Sequence, residues 1–547
     1  MTTATVRLLT PEIVLIAAAV AIYLGGAFST ARWPWSWIAA TAVVLAGSAL
    51  WMQHGLPAPG GPIAVDALSW FARWLALTFA ALLVLLTFRP LATGGTSEYA
   101  GSLLLTIAGL MLVAEAADLV LLFVSLELIS IPTYVLLCLG RRDAQCQESA
   151  TKYFFLSVLA SSILLYGFSF LYGISGSTQL ADIRAALEAS GQLPPEFDAL
   201  ARLALVLVFA GLCFKIAAVP FHFYAPDVYQ GTTHPNAALL SVIPKTAGLV
   251  AMVRLLVIAM PGMEPYSWRI ALALSVLTMT FGNVMALWQD DLRRLLAYSS
   301  IAHAGYLLIG LAVGLAAPPG PSNWDGLGAM WFYLAAYAAA TIGAFAVFEH
   351  LGRPDRRVDA VDELAGLGRT RPLAAALVAV FMFSLAGIPP LAGFWGKLLL
   401  FGSALSTGDA GAGLRPWFLA LAVIGVLNAA VAAAYYLRIV AVMYFRAPLA
   451  TPRAEGGRGA WLAAVACALL VIGIGFYPGP LMRESNEAGI RSQESGMNGE
   501  GAGNSEARMT KSECLFRHSS FELRHSLPPV IEVPPPQGLP RVLERRT

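Results

Sequence analysis

Four ionisable residues stand where the sequence is otherwise apolar: Glu127, Lys215, Lys245 and Lys397. The choice of lysine carries information. Of 35 basic residues, all but Lys152, Lys215, Lys245, Lys397 and Lys511 are arginine. Arginine stays charged in proteins, whereas buried lysine can give up its proton. A group that must gain and lose a proton inside a membrane is therefore a lysine. Burial weakens a lysine's hold on its proton, and a nearby carboxylate strengthens it. A change in the separation of Glu127 and Lys215 would switch proton affinity at Lys215. The charge on one lysine would then bias the next, which is a proton relay. His222 and His303 fall in the same stretches, and imidazole titrates at about 6.5 when unperturbed, so both can bridge lysines.

The plainer reading makes these residues structural. Glu127 would neutralise Lys215, and the other lysines would bond backbone carbonyls freed at helix breaks. Depth argues for more. Glu127 lies about nine residues into its apolar run, ~13 Å along a helix. Lys245 is placed similarly in its own run. A charge at the bilayer centre costs at least about 2.5–3.5 kcal/mol on insertion scales. Three lysines at such depth, in a chain so poor in lysine, favour the relay. Ser130, Ser161, Ser162, Thr246 and Tyr298 could hold water beside it, but such residues are common in helical spans.

The surrounding sequence must be membrane-embedded. Of 547 residues, 58% are hydrophobic and 12% charged, against about 25% charged in soluble domains. Runs of about 20 apolar residues suit a hydrocarbon core of roughly 30 Å. About fourteen are expected: 11–30, 35–52, 67–88, 100–115, 118–139, 150–173, 201–219, 235–260, 268–288, 294–315, 328–350, 372–405, 415–445 and 461–482. The first is not read as a cleaved leader, since no small-residue cleavage site closes it. Arginine sorts to alternate loops, with Arg32, Arg89, Arg141, Arg142, Arg293, Arg294, Arg353 and Arg453 on one side. By the excess of basic residues in cytoplasmic loops, that side is the cytoplasm and both termini lie opposite. Two spans are interrupted, at Val219-Pro220 and at Pro389-Pro390. Proline breaks the helical ladder, and paired breaks in two halves suggest inverted repeats around a transport path. Tyr153-Phe-Phe-Leu156 and Trp331-Phe-Tyr-Leu334, opening spans 6 and 11, hint at the same duplication. The fold class expected is thus all-α and polytopic, with discontinuous helices 7 and 12. Residues 1–482 form the transmembrane domain, and 483–547 a polar, disordered tail.

Other chemistries are not signalled. Cys138, Cys146, Cys213, Cys467 and Cys514 have no metal-site spacing, and neither a GxGxxG turn nor a Walker motif occurs. No cofactor or metal is expected in this chain. The net charge of +2 carries no message about partners, and no nucleic-acid partner is expected.

Several motifs resemble the antiporter-like membrane subunits of respiratory complex I, the proton-translocating NADH:quinone oxidoreductase. They are Glu127-Leu-Ile-Ser-Ile-Pro-Thr-Tyr134, Lys152-Tyr-Phe-Phe, Phe214-Lys-Ile-Ala-Ala-Val-Pro-Phe-His222, Ser241-Val-Ile-Pro-Lys245, Arg294-Leu-Leu-Ala-Tyr-Ser-Ser-Ile-Ala-His-Ala-Gly-Tyr306 and Leu385-Ala-Gly-Ile-Pro-Pro-Leu-Ala-Gly-Phe-Trp-Gly-Lys397. The resemblance spans about residues 10–482. Lysine at 397 and an end after the fourteenth span are similar to the N-type branch. The departures are Tyr224, where the family has tryptophan, and Thr232-Thr233-His234-Pro235. The resemblance implies that Glu127 and Lys215 are a coupled pair, Lys245 the central relay and Lys397 the terminal lysine, with His222 and His303 connecting them. It implies that FMN, iron–sulfur clusters and quinone belong to other subunits. It also implies neighbours among the membrane subunits, subunit M and the small ones, in a bacterial inner membrane with periplasmic termini. A subunit of a multi-subunit Na+/H+ antiporter or membrane-bound hydrogenase is the alternative, and a membrane scaffold the plainest one.

Overall fold

The computed structural model describes residues 3–497, apart from 30–33, 55–60, 89–94, 141–142, 189–194, 318–324, 353–357, 408–412 and 449–455. Arg32, Arg89, Arg141, Arg142, Arg353, Arg453 and the tail from 498 lie outside the described residues. Those described are helical, with only three isolated β-bridges among them. Thirteen helices are long and apolar enough to cross a membrane. In chain order they are α1 (Thr10–Phe28), α2 (Pro34–Met52), α3 (Ala67–Leu86), α4 (Thr96–Glu115), α5 (Leu119–Leu139), α6 (Ala144–Ser175) and α7 (Pro195–Ile216). Then come α8 (His234–Met252, continued by a π turn at Val253–Ala259), α9 (Glu264–Leu287), α10 (Leu292–Ala316) and α11 (Gly326–Leu351). The fourteenth crossing, α12, is two half-helices, α12a (Pro372–Ala386) and α12b (Ala392–Ser406); α13 (Arg415–Phe445) and α14 (Arg458–Phe476) complete the set.

Aspartates set the helix starts. Asp66, Asp118, Asp143, Asp291 and Asp325 are N-caps whose carboxylates accept backbone N–H groups of the first turn. An acidic cap satisfies orphan donors and complements the helix dipole. Asp118 does this for α5, accepting from Val120 at 2.8 Å and Leu121 at 3.2 Å. The short Glu115–Asp118 division expected between spans 4 and 5 is therefore a true boundary.

The helices form two shells. α11 is enclosed along its whole length, and α8 and α10 nearly so. Outer helices expose apolar side chains, such as Val124 and Ile131 on α5, Phe155 and Leu159 on α6, and Val426 and Leu427 on α13. A hydrophobic outside around a polar-studded inside is what lipid as solvent selects.

Both interruptions close in the same way. At the end of α7, Ala217 has φ 57° and the Ala218 N–H reaches back to Cys213 O at 2.8 Å. At the end of α12a, Gly387 has φ 89° and the Ile388 N–H reaches back to Phe383 O at 2.9 Å. A left-handed residue followed by such a return bond is a Schellman-type cap. Each cap precedes a proline by the same step, at Pro220 and Pro390.

Two expectations need correction. Tyr153 and Trp331 do not open their helices, because α6 starts at Ala144 and α11 at Gly326. The polar opening of α6, Ala144 to Lys152, carried too little hydropathy to mark its start. The tail also does not begin at 483, since a further helix, α15, runs from Gly479 to Met497. Ser485 and Ala488 on it are buried, and Asn486 lies against Gly328 of α11. Small residues on one face let it pack, while its polar outer face hid the periodicity.

Left-handed backbone costs a residue with Cβ about 1–2 kcal/mol. A Cβ at Gly387 would also lie 2.9 Å from Lys397 Cδ. Gly387→Ala should therefore lower the thermal midpoint of the purified assembly by several degrees, whereas Ala217→Gly should leave it unchanged or raise it. Equal midpoints for both variants would contradict this account.

Candidate functional site

Glu127 and Ser130 lie one helical turn apart on α5, flanking the stretch loosened by Pro132. Ser161 of α6 donates to Glu127 Oε1 at 2.5 Å. Lys215, at the end of α7, places Nζ 3.7 Å from Glu127 Oε1 and donates to Ser130 Oγ at 2.6 Å. At the break the Phe214 carbonyl accepts from the Ala217 N–H at 3.0 Å and also from the Tyr224 hydroxyl at 2.9 Å. Lys215 is thereby left free to face α5.

A cavity of about 10 Å³ lies between Lys215 and Lys245, lined by Tyr153, Tyr224, Tyr229 and Ser300. That is about the room one water requires. Beyond it, Lys245 of α8 donates to Ser300 O at 2.5 Å and to Ser300 Oγ at 2.7 Å. The Tyr337 hydroxyl donates to Ser300 Oγ at 2.9 Å, and the lysine ammonium lies 4.7 Å from the Tyr337 ring centre. A cation over an aromatic face is attracted by the ring quadrupole.

His303 is one turn along α10 from Ser299 and Ser300. Its Nδ1 is 2.6 Å from Tyr333 Oη, and its Nε2 is 2.9 Å from Tyr436 Oη. Tyr436 in turn pairs with the Ser299 hydroxyl. Tyr306, the next turn of α10, receives a hydrogen bond from Asn283 at 3.1 Å. Lys397 Nζ lies 5.1 Å from the Tyr306 ring centre. Lys397 also donates to Leu385 O and Ala386 O, each at 2.9 Å. These are carbonyls of the last turn of α12a, released by the break.

The expected residues thus fall into one row: a part-buried Glu127, its side chain 21% exposed, then the buried Lys215, Lys245, His303 and Lys397. The three lysines are at most 5% exposed and His303 is 2% exposed. His222 stands to one side. Its ring meets Phe281 at 4.4 Å, and its Nδ1 is buried with no hydrogen-bond partner among the described residues. Ser130 and Ser161 belong to the site, whereas Ser162 and Thr246 return to their own helices, at Val158 O and Val242 O.

The sequence reading missed the polar partners of the second half: Ser300, Tyr306, Tyr333, Tyr337 and Tyr436. A signal existed. Ser299, Ser300, His303 and Tyr306 repeat at three and four residues on α10, as Tyr333 and Tyr337 do on α11, which places each set on one face. Among the described residues no group of three His, Cys, Asp or Glu side chains is placed to hold a metal ion.

Removing one partner of a buried charged hydrogen bond costs about 1.5–3 kcal/mol. Ser300→Ala should therefore destabilise the purified assembly toward heat, and Ser162→Ala should not. Indistinguishable melting curves for the two would show that Lys245 does not depend on Ser300.

The profile of the NADH:quinone oxidoreductase/Mrp antiporter transmembrane family matches residues 116–432, more than half of the chain. The NADH-quinone oxidoreductase subunit N of Trichlorobacter lovleyi is 38% identical over 450 residues, covering 81% of this chain and 88% of that protein. A chain of respiratory complex I from Thermus thermophilus, solved with bound aureothin, superposes with a TM-score of 0.71 at 35% identity, covering 86% of this chain and 98% of that one. A chain of the Mrp complex from Dietzia sp. DQ12-45-1b shares the fold, with a TM-score of 0.73 at 22% identity, covering 90% of this chain and 98% of that one.

Proposed function

The chain belongs to the NADH:quinone oxidoreductase/Mrp antiporter family and, by its relatives, to the subunit N line of it, and from that premise we propose that it is a proton-translocating membrane subunit driven by redox chemistry in its partners. The observation that carries this reading is the buried row from Glu127 to Lys397. Electron transfer from NADH to quinone, with FMN and iron–sulfur clusters, belongs to other subunits of the complex. This chain supplies the proton path.

The proposed path follows the geometry. Glu127 and Lys215 are the paired entry, their 3.7 Å separation being close enough for the carboxylate to hold the lysine's proton and loose enough to change. Lys245 is the central carrier, reached across the water-sized cavity. Ser300 and Tyr337 pass hydrogen bonds toward His303, and His303 with its tyrosines bridges to Lys397. Lys397 is the terminal group of the second half. His222 lies outside the row and acts through water at the first break.

The chain works within a complex of other subunits, with subunit M and the small membrane subunits as neighbours. It resides in a bacterial inner membrane with both termini on the periplasmic side. That topology is supported by Arg293 and Arg294, which lie at the same end of the bundle as the Ala225–Gly231 turn. Subunit N relatives at up to 38% identity favour this role over that of a cation antiporter, for which the likeness is one of fold.

Lys245→Met and Lys245→Arg in the assembled complex test the reading together. Proton transfer groups contribute about 10²–10⁴-fold. Proton pumping by reconstituted vesicles should fall at least about tenfold in both, because arginine keeps its charge. A scaffold would tolerate arginine. Wild-type pumping in the arginine variant would reject the relay.

A further inference from the structure

Away from the lysine row, five charged side chains meet at the opposite end of α8. Arg73 of α3 and Arg254 of the π turn following α8 are each 2% exposed. Arg73 grips Glu12 of α1 with two bonds, Nε to Oε1 at 2.9 Å and Nη2 to Oε2 at 3.1 Å. It also reaches Gln53 at 3.2 Å and Leu8 O at 3.0 Å. Arg254 grips both oxygens of Asp66, with Nη2 on Oδ1 at 2.8 Å, and donates to Ala114 O at 2.6 Å. Each guanidinium is thus matched to one carboxylate in the two-pronged geometry that suits both groups.

Glu115, the last residue of α4, is the third carboxylate and has no guanidinium of its own. It is fully buried. Its Oε1 forms an ion pair with Arg73 Nη1 at 2.6 Å, sharing a guanidinium already held by both oxygens of Glu12, and neither of its oxygens has a hydrogen-bond partner among the described residues. The charged groups that act on it are Glu12, Arg73, Arg254 and Asp66. Two fixed positive charges therefore face three carboxyl groups. A third buried carboxylate that must share one guanidinium with Glu12 is costly to keep ionised. A proton resolves the imbalance.

From this count we infer that the cluster is a second proton-binding site, with one exchangeable proton held on Glu115. Asp66, beside the cluster, has a side chain 20% exposed, and the 61–66 stretch passes over the end of α4, with the Ala64 N–H bonded to Glu115 O at 2.7 Å and the Ala117 N–H to Pro62 O at 2.8 Å. By alternation of the spans, the start of α1, the end of α4 and the end of α8 share one side, away from the arginine-rich loops. Lys245 lies nine residues before Arg254 on the same helix, ~13 Å along its axis. The site is thus placed to hold a proton on that side of the membrane. The inference rests on charge balance and is independent of the lysine relay.

Glu115→Gln and Glu12→Gln in the full complex separate the possibilities. Glutamine mimics a protonated glutamate, so Glu115→Gln should assemble like wild type. Glu12→Gln removes the counter-charge of Arg73, and the amount of assembled complex should fall several-fold, as buried pairs do when one partner goes. Infrared spectra of wild-type complex should contain a protonated-carboxyl carbonyl band that shifts in heavy water and is missing from Glu115→Gln. Loss of assembly in Glu115→Gln as large as that in Glu12→Gln would overturn the inference. So would infrared spectra with no carboxyl band that depends on Glu115.

Discussion

An ammonium group inside hydrocarbon has no water to solvate it, and the interior of this protein is arranged around supplying substitutes. The three lysines receive different ones. Lys215 has a counter-charge in Glu127 and a hydroxyl from Ser130. Lys245 has the carbonyl and hydroxyl of one serine and an aromatic face. Lys397 has two carbonyls from a broken helix end. Only the first includes a full negative charge. Neutral dipoles stabilise an ammonium less than a carboxylate does in a low-dielectric site. Lys215 is thus set apart from the other two by the carboxylate beside it.

The two helix breaks show how one backbone device serves two purposes. Both end in a left-handed residue and a return hydrogen bond. At the first, the Tyr224 phenol adds a second bond to the Phe214 carbonyl, and the adjacent lysine turns away toward α5. At the second, the lysine itself satisfies the carbonyls. The phenol at 224 fits this task through its hydroxyl. Glycine at 387 follows from the second solution, since a side chain there would press on the lysine stem. The enclosed helices α8, α10 and α11 then carry the polar row between the breaks, shielded from lipid by the outer shell.

Ionisable residues are sorted by chemistry. Aspartate stands at helix starts, where backbone N–H groups stabilise its charge. At Arg73 and Arg254, arginine is held in bidentate grip of a carboxylate. Lysine, with the more adjustable proton, is the type placed along the row. That sorting explains what could be read from the chain directly. The fourteen crossings, the two breaks and the buried lysines were all legible, because apolar run length, proline and a rare residue type are local signals. The tyrosines of the row were not. Tyrosine is ordinary in membrane helices, and only the meeting of α10, α11 and α13 turns Tyr333, Tyr337 and Tyr436 toward His303.

The Glu115 cluster was hidden for the opposite reason. Glu12, Asp66 and Glu115 occur at the ends of apolar runs, where an acidic residue normally meets water. Nothing in the local sequence distinguishes a solvated end from one roofed by a loop. The distinction arises when Arg73, seven residues into α3, and Arg254, on a π turn, are brought from separate helices onto the same spot. Position along a span therefore measures a charge's depth only when its neighbours in space leave it open to water. Lysine depth was readable because the middle of a span is remote from water in any packing. Glutamate burial at a span end depends on tertiary structure alone, and there a count of matched and unmatched charges does what hydropathy cannot.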